Sequence, residues 1–168
     1  MQSSDWIALA SLVIALCALV TSVWQGLVAM KHARLSARPI IEAETNTHEN
    51  PGLALTNCGF GPAILCKLVA HIDGQSINLF TDAGHTQLAE SLVDNQVQIL
   101  SVRHCVPRLR SAIAAGQRIQ VTAIPAACDD ENLARELGRR FRRMTLEIEY
   151  ESIYGETFSD KHAFKDTA

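Results

Sequence analysis

The sequence lacks both a surplus of positive charge and any pattern of paired cysteines. Its 168 residues hold 15 Lys and Arg against 18 Asp and Glu, which gives a net charge of −3. Nonspecific nucleic-acid binding depends on neutralising many phosphates, so no nucleic-acid partner is expected. Cysteines outside the N-terminal apolar segment are irregularly spaced, and no Cys-x-x-Cys cluster occurs: Cys58, Cys66, Cys105 and Cys128. Neither a structural zinc site nor a disulfide framework is therefore expected.

Charge is also missing between Trp6 and Met30, where the sequence is WIALASLVIALCALVTSVWQGLVAM. About 20 apolar residues rising 1.5 Å each cross a hydrocarbon core of roughly 30 Å, so this segment is long enough to span a membrane. Trp6 and Trp24 suit the interfacial belts of a bilayer. A buried helix of a soluble protein and a cleaved signal peptide are the alternatives. A signal peptide would need a basic segment before a shorter apolar run, whereas the only charge before this one is Asp5.

Basic side chains follow the apolar segment and do not precede it. Lys31, Arg34 and Arg38 lie just beyond Met30. Basic flanks of a membrane span stay on the cytoplasmic side. The N-terminal tail is therefore predicted outside, and everything after the span is predicted in the cytoplasm.

A proline and the absence of a linker indicate where the soluble domain begins. The residue before a proline is driven out of helical geometry, so the helix is expected to end at Arg38-Pro39. No Gly/Ser-rich linker follows, so the domain is expected close to the bilayer surface. The predicted segments are an external tail, a transmembrane helix, a basic juxtamembrane helix end and a cytoplasmic domain: residues 1–5, 6–30, 31–39 and 40–168.

In the domain the apolar period changes from helical to strand-like. Asp73-Gly74, between AILCKLVAHI and QSINLF, is a strong hairpin signal because both central positions tolerate positive φ. Short helices are predicted over Thr81–Asn95 and from Asp129 or Asp130 to about Arg143. Further strands are predicted at IIEAET, LALTN, VQILSV, GQRIQVTAI, TLEIEYESI and ETFSDKHAF. The fold class predicted is mainly β, a transmembrane helix followed by an Ig-like β-sandwich with one or two short helical insertions.

The stretch LALTNCGFGPAILCKL sets two glycines and a proline between apolar runs, as some phosphate-binding loops do. Such a loop needs inward N–H groups, a helix N-terminus behind them and usually a lysine or hydroxyl. Pro62 removes a donor, a strand is predicted next, and no lysine or hydroxyl adjoins the glycines. A structural corner is predicted instead. Asn57 is expected to bond back to the chain, Gly59 and Gly61 to take positive φ, and Pro62 to fix the turn.

The apolar span, the KHARLSARP juncture, the L-x-L-x-N-x-G-x-G-P-A corner and the late I-x-Y-x-S-I-Y-G turn occur together. In this combination the chain resembles small, uncharacterised bacterial single-pass membrane proteins with a cytoplasmic β-sandwich-like domain. The resemblance implies this architecture and a bacterial inner membrane. It carries no reaction, cofactor or catalytic residue.

Within the span, small residues and one amide lie along one helix face. They recur at alternating spacings of three and four: Ala8, Ser11, Ala15, Ala18, Ser22, Gln25 and Ala29. Small residues let helix backbones approach in lipid, and a lone amide can bridge to its counterpart. The spacing near 3.5 favours a left-handed pairing. Because membrane helices are generally rich in Ala and Ser, a chance stripe is the alternative to the predicted homo-oligomer or partner-helix contact.

A second surface is predicted on the helix DDENLARELGRRFRRM. Its apolar stripe consists of Leu133, Leu137, Phe141 and Met144. One interpretation is contact between its arginines and the anionic cytoplasmic leaflet. The alternative is a surface helix whose arginines are solvated or paired with acids such as Glu131 and Glu136. The predicted membrane-surface basic residues are Lys31, Arg34, Arg38, Arg135, Arg139 and Arg142.

Residues suited to catalysis are scattered. Asp82 with His85, or His104 with Cys105, could contribute metal ligands once folded, but such proximity is common by chance. The thiols of Cys58 and Cys66 lie in strand-like apolar settings typical of inert cysteines. We expect no catalytic residue, metal, cofactor or small-molecule substrate, and no enzyme activity.

The sequence therefore predicts a membrane-anchored cytoplasmic interaction or scaffold module that contacts lipid and self-associates or joins a membrane-protein partner. A different class is a sensor or effector of a membrane-disrupting, toxin-like or defence-like system that acts through oligomerised spans. An enzyme would need a pocket of convergent ionisable groups.

Overall fold

The computed structural model describes residues 3–46, 52–92, 103–104, 107–123 and 131–164. The chain divides into two compact units, Met1–Ser36 and Ala37–Ala168. The second unit begins before Ile40, the first residue of the domain predicted from the sequence. The reason is that the residues from Ala37 onward pack against the corner that follows the second strand.

The N-terminal unit is one helix, α1, which covers Ser3–Ser36. Within its segment Trp6–Ser36, an 18-residue window reaches a mean hydropathy of 2.4. Among the described residues, none of that window is buried. The prediction of a helix long and apolar enough to cross a membrane is confirmed. The helix ends at Ser36, just before Arg38-Pro39, as the geometry of a residue preceding proline requires.

The second unit is built from short strands and two helices within the described ranges. The strands are β1 Ile41–Asn46, β2 Gly52–Asn57, β3 Ala63–Ile72, β4 Gln75–Asn78, β5 Arg103–His104, β6 Ala112–Ile113, β7 Arg118–Ala123, β8 Thr145–Glu151 and β9 Thr157–Ala163. The helices are α2 Asp82–Leu92, between β4 and β5, and α3 Glu131–Phe141, between β7 and β8. The strand predicted at VQILSV, residues 97–102, lies outside the described residues.

The strands form two antiparallel sheets. One has the order β1-β2-β7-β5, and the other β4-β3-β8-β9 with β6 paired to β3. When β6 is left out, the strand orders of the two sheets correspond to the ABED and C′CFG orders of immunoglobulin-type sandwiches. The predicted mainly β fold, an Ig-like sandwich preceded by an apolar helix and carrying two short helical insertions, is confirmed.

Both sheets contribute to one hydrophobic core. Leu53, Leu55 and Val121 come from the four-stranded sheet, and Leu68 and Ile148 from the five-stranded sheet. The alternation in TLEIEYE buries every second side chain of β8. The two helices close the core with Leu88, Leu92, Leu137 and Phe141.

The hairpin between β3 and β4 has the geometry that its sequence predicts. Asp73 has φ of 49° and Gly74 has φ of 81°, so both central positions are left-handed. This is the backbone that a two-residue turn needs to match the twist of its strands.

Strand register gives the sandwich two distinct ends. The first residue of β1 pairs with the last of β2. At the same end, Glu151, the last residue of β8, pairs with Ile64 near the start of β3 and with Thr157, the first residue of β9. We call this the proximal end, because the chain enters the domain there. It comprises residues 37–40, the corner 58–62, the segment 107–117 and the turn 152–156. The distal end carries the 73–74 turn and the C-terminus of α3, which Arg143 and Asp73 join as an ion pair.

Candidate functional site

Asn57 is the centre of the corner between the two sheets. Its side chain is fully buried. Its Nδ2 donates to the carbonyls of Gly61, at 2.8 Å, and Ile113, at 3.0 Å. Its Oδ1 accepts from the N–H groups of Gly59, at 3.0 Å, and Ile40, at 3.3 Å. One amide thus ties the corner to β6 and to the segment that enters the domain.

The two glycines of the corner are needed for space, not for backbone conformation. The positive-φ glycines in the described residues do not include Gly59 or Gly61, so the prediction that they take positive φ was wrong. A Cβ at Gly61 would lie 1.9 Å from the carbonyl oxygen of Ala37. A Cβ at Gly59 would lie 2.5 Å from the carbonyl oxygen of Arg38. The entering chain therefore packs directly onto glycine backbone.

Backbone donors of the corner are directed at the protein itself. Cys58 N donates to the carbonyl of Ile40 at 2.8 Å, and Phe60 N to that of Arg38 at 3.3 Å. Gly59 N is bound by Asn57. Pro62 has no donor and leads straight into β3. The corner is a clamp on residues 37–40, and it presents no row of N–H groups of the kind that binds phosphate.

A polar cluster covers the outer face of the five-stranded sheet. Lys67 Nζ lies 2.9 Å from Glu147 Oε1 and 3.4 Å from Glu149 Oε1. His71 lies 3.1 Å from Glu147 through Nε2 and 2.9 Å from Ser76 Oγ through Nδ1. The hydrogen bond from Lys67, followed by that from His71, lowers the pKa of Glu147 to about 2. The same contact with Glu147 raises the pKa of Lys67.

Sequence reasoning missed this cluster because its members are distant along the chain. In the sequence, Glu147 and Glu149 are only alternate positions of the predicted strand TLEIEYESI. The antiparallel register sets Lys67 opposite Glu149 and Val69 opposite Glu147. Side chains on neighbouring positions of one face then meet across the strands. Only the pairing of β3 with β8 could have revealed it.

Arg38, predicted as a membrane-surface residue, packs on an aromatic ring of the sandwich. Its guanidinium carbon lies 5.1 Å from the ring centroid of Phe158, a cation–π distance. Phe158 stacks on Tyr150 with 5.5 Å between centroids. Tyr150 donates through its hydroxyl to Asp160 at 2.8 Å. Burial, followed by this hydrogen bond, raises the pKa of Tyr150 to about 12.

The other predicted basic residues divide between the two units. Lys31 and Arg34 belong to the last turns of α1. Arg139 pairs with Glu136 at 3.5 Å, and Arg142 Nε donates to the carbonyl of Gly138 at 3.3 Å. Arg135 also has an interaction partner. The α3 arginines approach the distal end, whereas Arg38 lies at the proximal end, so the fold does not bring them together.

Along α1 the predicted helix-packing face is exposed over its whole length. It comprises Ala8, Ser11, Ala15, Ala18, Ser22, Gln25 and Ala29. Ser11 Oγ donates to the carbonyl of Ile7 at 2.9 Å, and Ser22 Oγ to that of Ala18 at 2.8 Å. These hydroxyls already have hydrogen-bond partners within the helix. A partner helix could therefore use only the close backbone approach that small residues allow and the amide of Gln25. Association through this face stays a prediction.

The candidate metal and nucleophile residues have local partners. His85 is fully buried between Thr122 Oγ1, at 3.0 Å, and the carbonyl of Leu79, at 2.9 Å. Partial desolvation, followed by a hydrogen bond to Glu42, raises the pKa of the Cys58 thiol. Cys105 and the side chain of His104 lie outside the described residues. Among the described residues, no group of three or more His, Cys, Asp or Glu is arranged to hold a metal ion.

No protein-family model matches the chain, and no curated protein is significantly similar to it.

Proposed function

We propose that the protein is a single-pass protein of the bacterial inner membrane whose sandwich domain lies in the cytoplasm and binds a protein partner or further copies of the chain. The observation that carries the proposal is the exposed apolar surface of α1. Within the described part of the chain, none of its apolar window is buried. Such a surface requires lipid or other helices to cover it. The basic residues Lys31, Arg34 and Arg38 favour a cytoplasmic domain.

The junction after α1 supports an anchored domain. The chain is held from Ala37 onward by the corner, so no free linker separates the end of the helix from the sandwich. A domain tied in this way stays within a short reach of the membrane. This suits a module that recruits or senses a partner at the bilayer.

The outer face of the five-stranded sheet is the surface that we assign to the partner. Edge strand β9 is protected against strand addition, because it carries Lys161 and turns Asp160 inward to Tyr150. The face itself holds Lys67, His71 and the β8 glutamates in a fixed hydrogen-bonded array. Charges ordered before binding favour specific recognition of a complementary surface.

The test is extraction of the tagged full-length chain from native membranes in a mild detergent, followed by identification of proteins that co-purify. A specific partner, or tagged and untagged copies together, is the expected result. Glu149→Arg should reduce recovery several-fold, because it inverts charge on the assigned face. Arg118→Glu is the matched control, since Arg118 pairs with Glu44 at 3.3 Å on the other sheet. A chain that purifies alone as a monomer would contradict the proposal.

Cells that overexpress the full-length chain distinguish a membrane-disrupting effector from a scaffold. An effector would arrest growth or raise membrane conductance on overexpression, and Gln25→Leu would relieve that effect. A scaffold leaves growth and membrane conductance unchanged with either sequence. Arrest relieved by this substitution would therefore replace the scaffold with the effector.

A further inference from the structure

Every large apolar side chain that the described part of the sandwich leaves exposed lies at the proximal end. Single exposed apolar residues are ordinary on any protein surface, but a group at one end forms a patch. The exposed fractions are 86% for Phe60, 63% for Leu109, 54% for Ile153, 47% for Ile40 and 45% for Tyr154.

These side chains come from separate loops that are held in order. Arg110 Nη2 lies 3.1 Å from Glu151 Oε2, which joins the segment 107–117 to the end of β8. Ser152 Oγ accepts from the N–H groups of Tyr154, at 3.2 Å, and Glu156, at 3.3 Å. Phe60 extends from the clamp that Asn57 organises. Ordered turns thus present the patch with little entropy left to lose on contact.

Chain connectivity brings this end near the bilayer if α1 spans it, so the inference rests on the proposed membrane anchoring. Residues 31–36 continue α1 beyond Met30. At 1.5 Å per residue they rise about 9 Å. The headgroup layer of one leaflet is roughly 5–7 Å deep. Ala37, the first residue of the proximal end, therefore starts close to the headgroups.

Exposed arginines at the proximal end suit an anionic leaflet. Arg108 is exposed beside Leu109, and Arg110 is two-thirds exposed although it pairs with Glu151. The acidic residues nearby are Glu42, which accepts a hydrogen bond from the Cys58 thiol at 3.4 Å, Glu151 and Glu156. The distal end lies a full β3 away, and its ten residues at about 3.3 Å each amount to roughly 33 Å. The arginines near that end are poorly placed for the same bilayer.

We propose that the proximal end rests on the cytoplasmic leaflet. Phe60, Leu109 and Tyr154 enter the interfacial region, where aromatic and aliphatic side chains partition favourably. Arg108 lies among anionic headgroups. The partner of this surface is the lipid itself, which leaves the outer face of the five-stranded sheet for a protein.

The test places a photoreactive diazirine amino acid at single positions of the full-length chain, reconstituted in phosphatidylcholine vesicles with or without phosphatidylglycerol. After illumination, lipid adducts are quantified by mass spectrometry. Position 60, 109 or 154 should give at least about tenfold more adduct than position 75, an exposed site at the distal end. Adding phosphatidylglycerol should raise the adduct yield at these positions. In the Arg108→Gln chain the yield in vesicles with phosphatidylglycerol should be lower by up to about fivefold.

A probe at position 19, within the apolar part of α1, separates the two proposals. Adducts at position 19, with yields at 60, 109 and 154 no higher than at 75, would overturn the lipid contact and leave the anchoring intact. No lipid adduct at position 19 would overturn both. Adducts between position 60 and protein in native membranes, in place of lipid, would make the patch a protein interface and would also overturn the inference.

Discussion

At the scale of single residues, Asn57 connects parts of the domain that are far apart in sequence. Its amide binds a glycine carbonyl of its own corner, the carbonyl of Ile113, and the N–H of Ile40. Buried backbone groups must be paired, and at a strand end the sheet no longer pairs them. A side chain with two donors and an acceptor oxygen can satisfy several such groups at once. The corner depends on this ability of one side chain to pair several backbone groups.

Replacing Asn57 by alanine should destabilise the domain strongly, by about 3 kcal/mol or more, because buried donors and acceptors lose their partners. Asn78→Ala is the matched control. Asn78 makes an exposed hydrogen bond to Phe80 N at 2.9 Å, and its loss should cost about 1 kcal/mol or less. Chemical denaturation of the detergent-solubilised chain, followed by the β-sheet circular dichroism signal, measures both. Equal costs would refute the role of Asn57 as the centre of the corner.

Gly61→Ala and Gly74→Ala separate steric contact from backbone strain. At Gly61 the new Cβ would meet the Ala37 carbonyl, so the clamp must open, and we expect a cost of about 4 kcal/mol or more. At Gly74 the Cβ meets nothing within 4 Å, and only the φ of +81° is unfavourable. That substitution should cost about 1 kcal/mol. The same denaturation experiment gives the order, and a larger loss at Gly74 would contradict the clamp.

At the scale of elements, the pairing of β3 with β8 creates an electrostatic unit that neither strand has alone. On one face of the sheet, the Glu147 carboxylate is hydrogen-bonded to both Lys67 and His71. Its carboxylate is held in the charged form, which is why its pKa falls to about 2. A depressed folded-state pKa means that folding is coupled to the ionised carboxylate.

The stability that Glu147 contributes should be present above its ordinary pKa of 4.5 and be lost as the pH falls toward about 2. Glu147→Gln removes this contribution, so its stability and that of the wild type should converge over that interval. Denaturation midpoints measured across the interval give the comparison. Glu156→Gln, which removes a carboxylate outside the cluster, is the control. Parallel curves for wild type and Glu147→Gln would disprove the coupling.

Helix α1 is the second element with a testable face. Gln25→Leu or Ala15→Leu should weaken self-association several-fold in a membrane dimerisation reporter, because a larger side chain separates the backbones or an amide bridge is lost. Val13→Leu, on the opposite side of the helix from Ser11 and Ala15, should leave the signal unchanged. An undiminished signal in both face variants would show that the stripe has no role in packing.

At the scale of the whole molecule, the proposed orientation depends on the charge around α1, and we expect this charge to decide on which side of the membrane the sandwich lies. A C-terminal reporter that is active only in the cytoplasm should be active on the wild-type chain. Lys31→Gln with Arg34→Gln should lower its activity by producing a mixed orientation. Arg38 is left unchanged in this variant because it also packs on Phe158. A reporter active only on the external side of the wild-type chain would reverse the proposed topology.

The two proposals use different surfaces of the same domain, so they can hold together. Lipid would occupy the proximal end, and a protein would occupy the outer face of the five-stranded sheet. Because residues 37–40 are held by the corner, the proximal loops and the segment that follows α1 form one body.

Local features of the sequence determined much of the fold. The charge-free run of α1, the Asp73-Gly74 turn and the alternation of TLEIEYE each depend on neighbouring residues, and periodicity and turn chemistry are local properties. The segments β5 and β6 span only two residues each, too few for a period to show. Their pairing with β7 and β3 follows from the tertiary arrangement.

The sequence by itself determined that Asn57, Gly59, Gly61 and Pro62 would form a corner, because a run with no helix, lysine or hydroxyl behind its glycines lacks what an anion site needs. Only the tertiary structure decided what the corner holds. The glycines are required by the backbone of Ala37 and Arg38, which approaches from outside the motif. The tertiary structure also decided that Lys67 meets Glu147, and that Phe60, Leu109 and Tyr154 lie together at the proximal end. Contacts between residues far apart along the chain depend on strand order and register, and local sequence does not encode these.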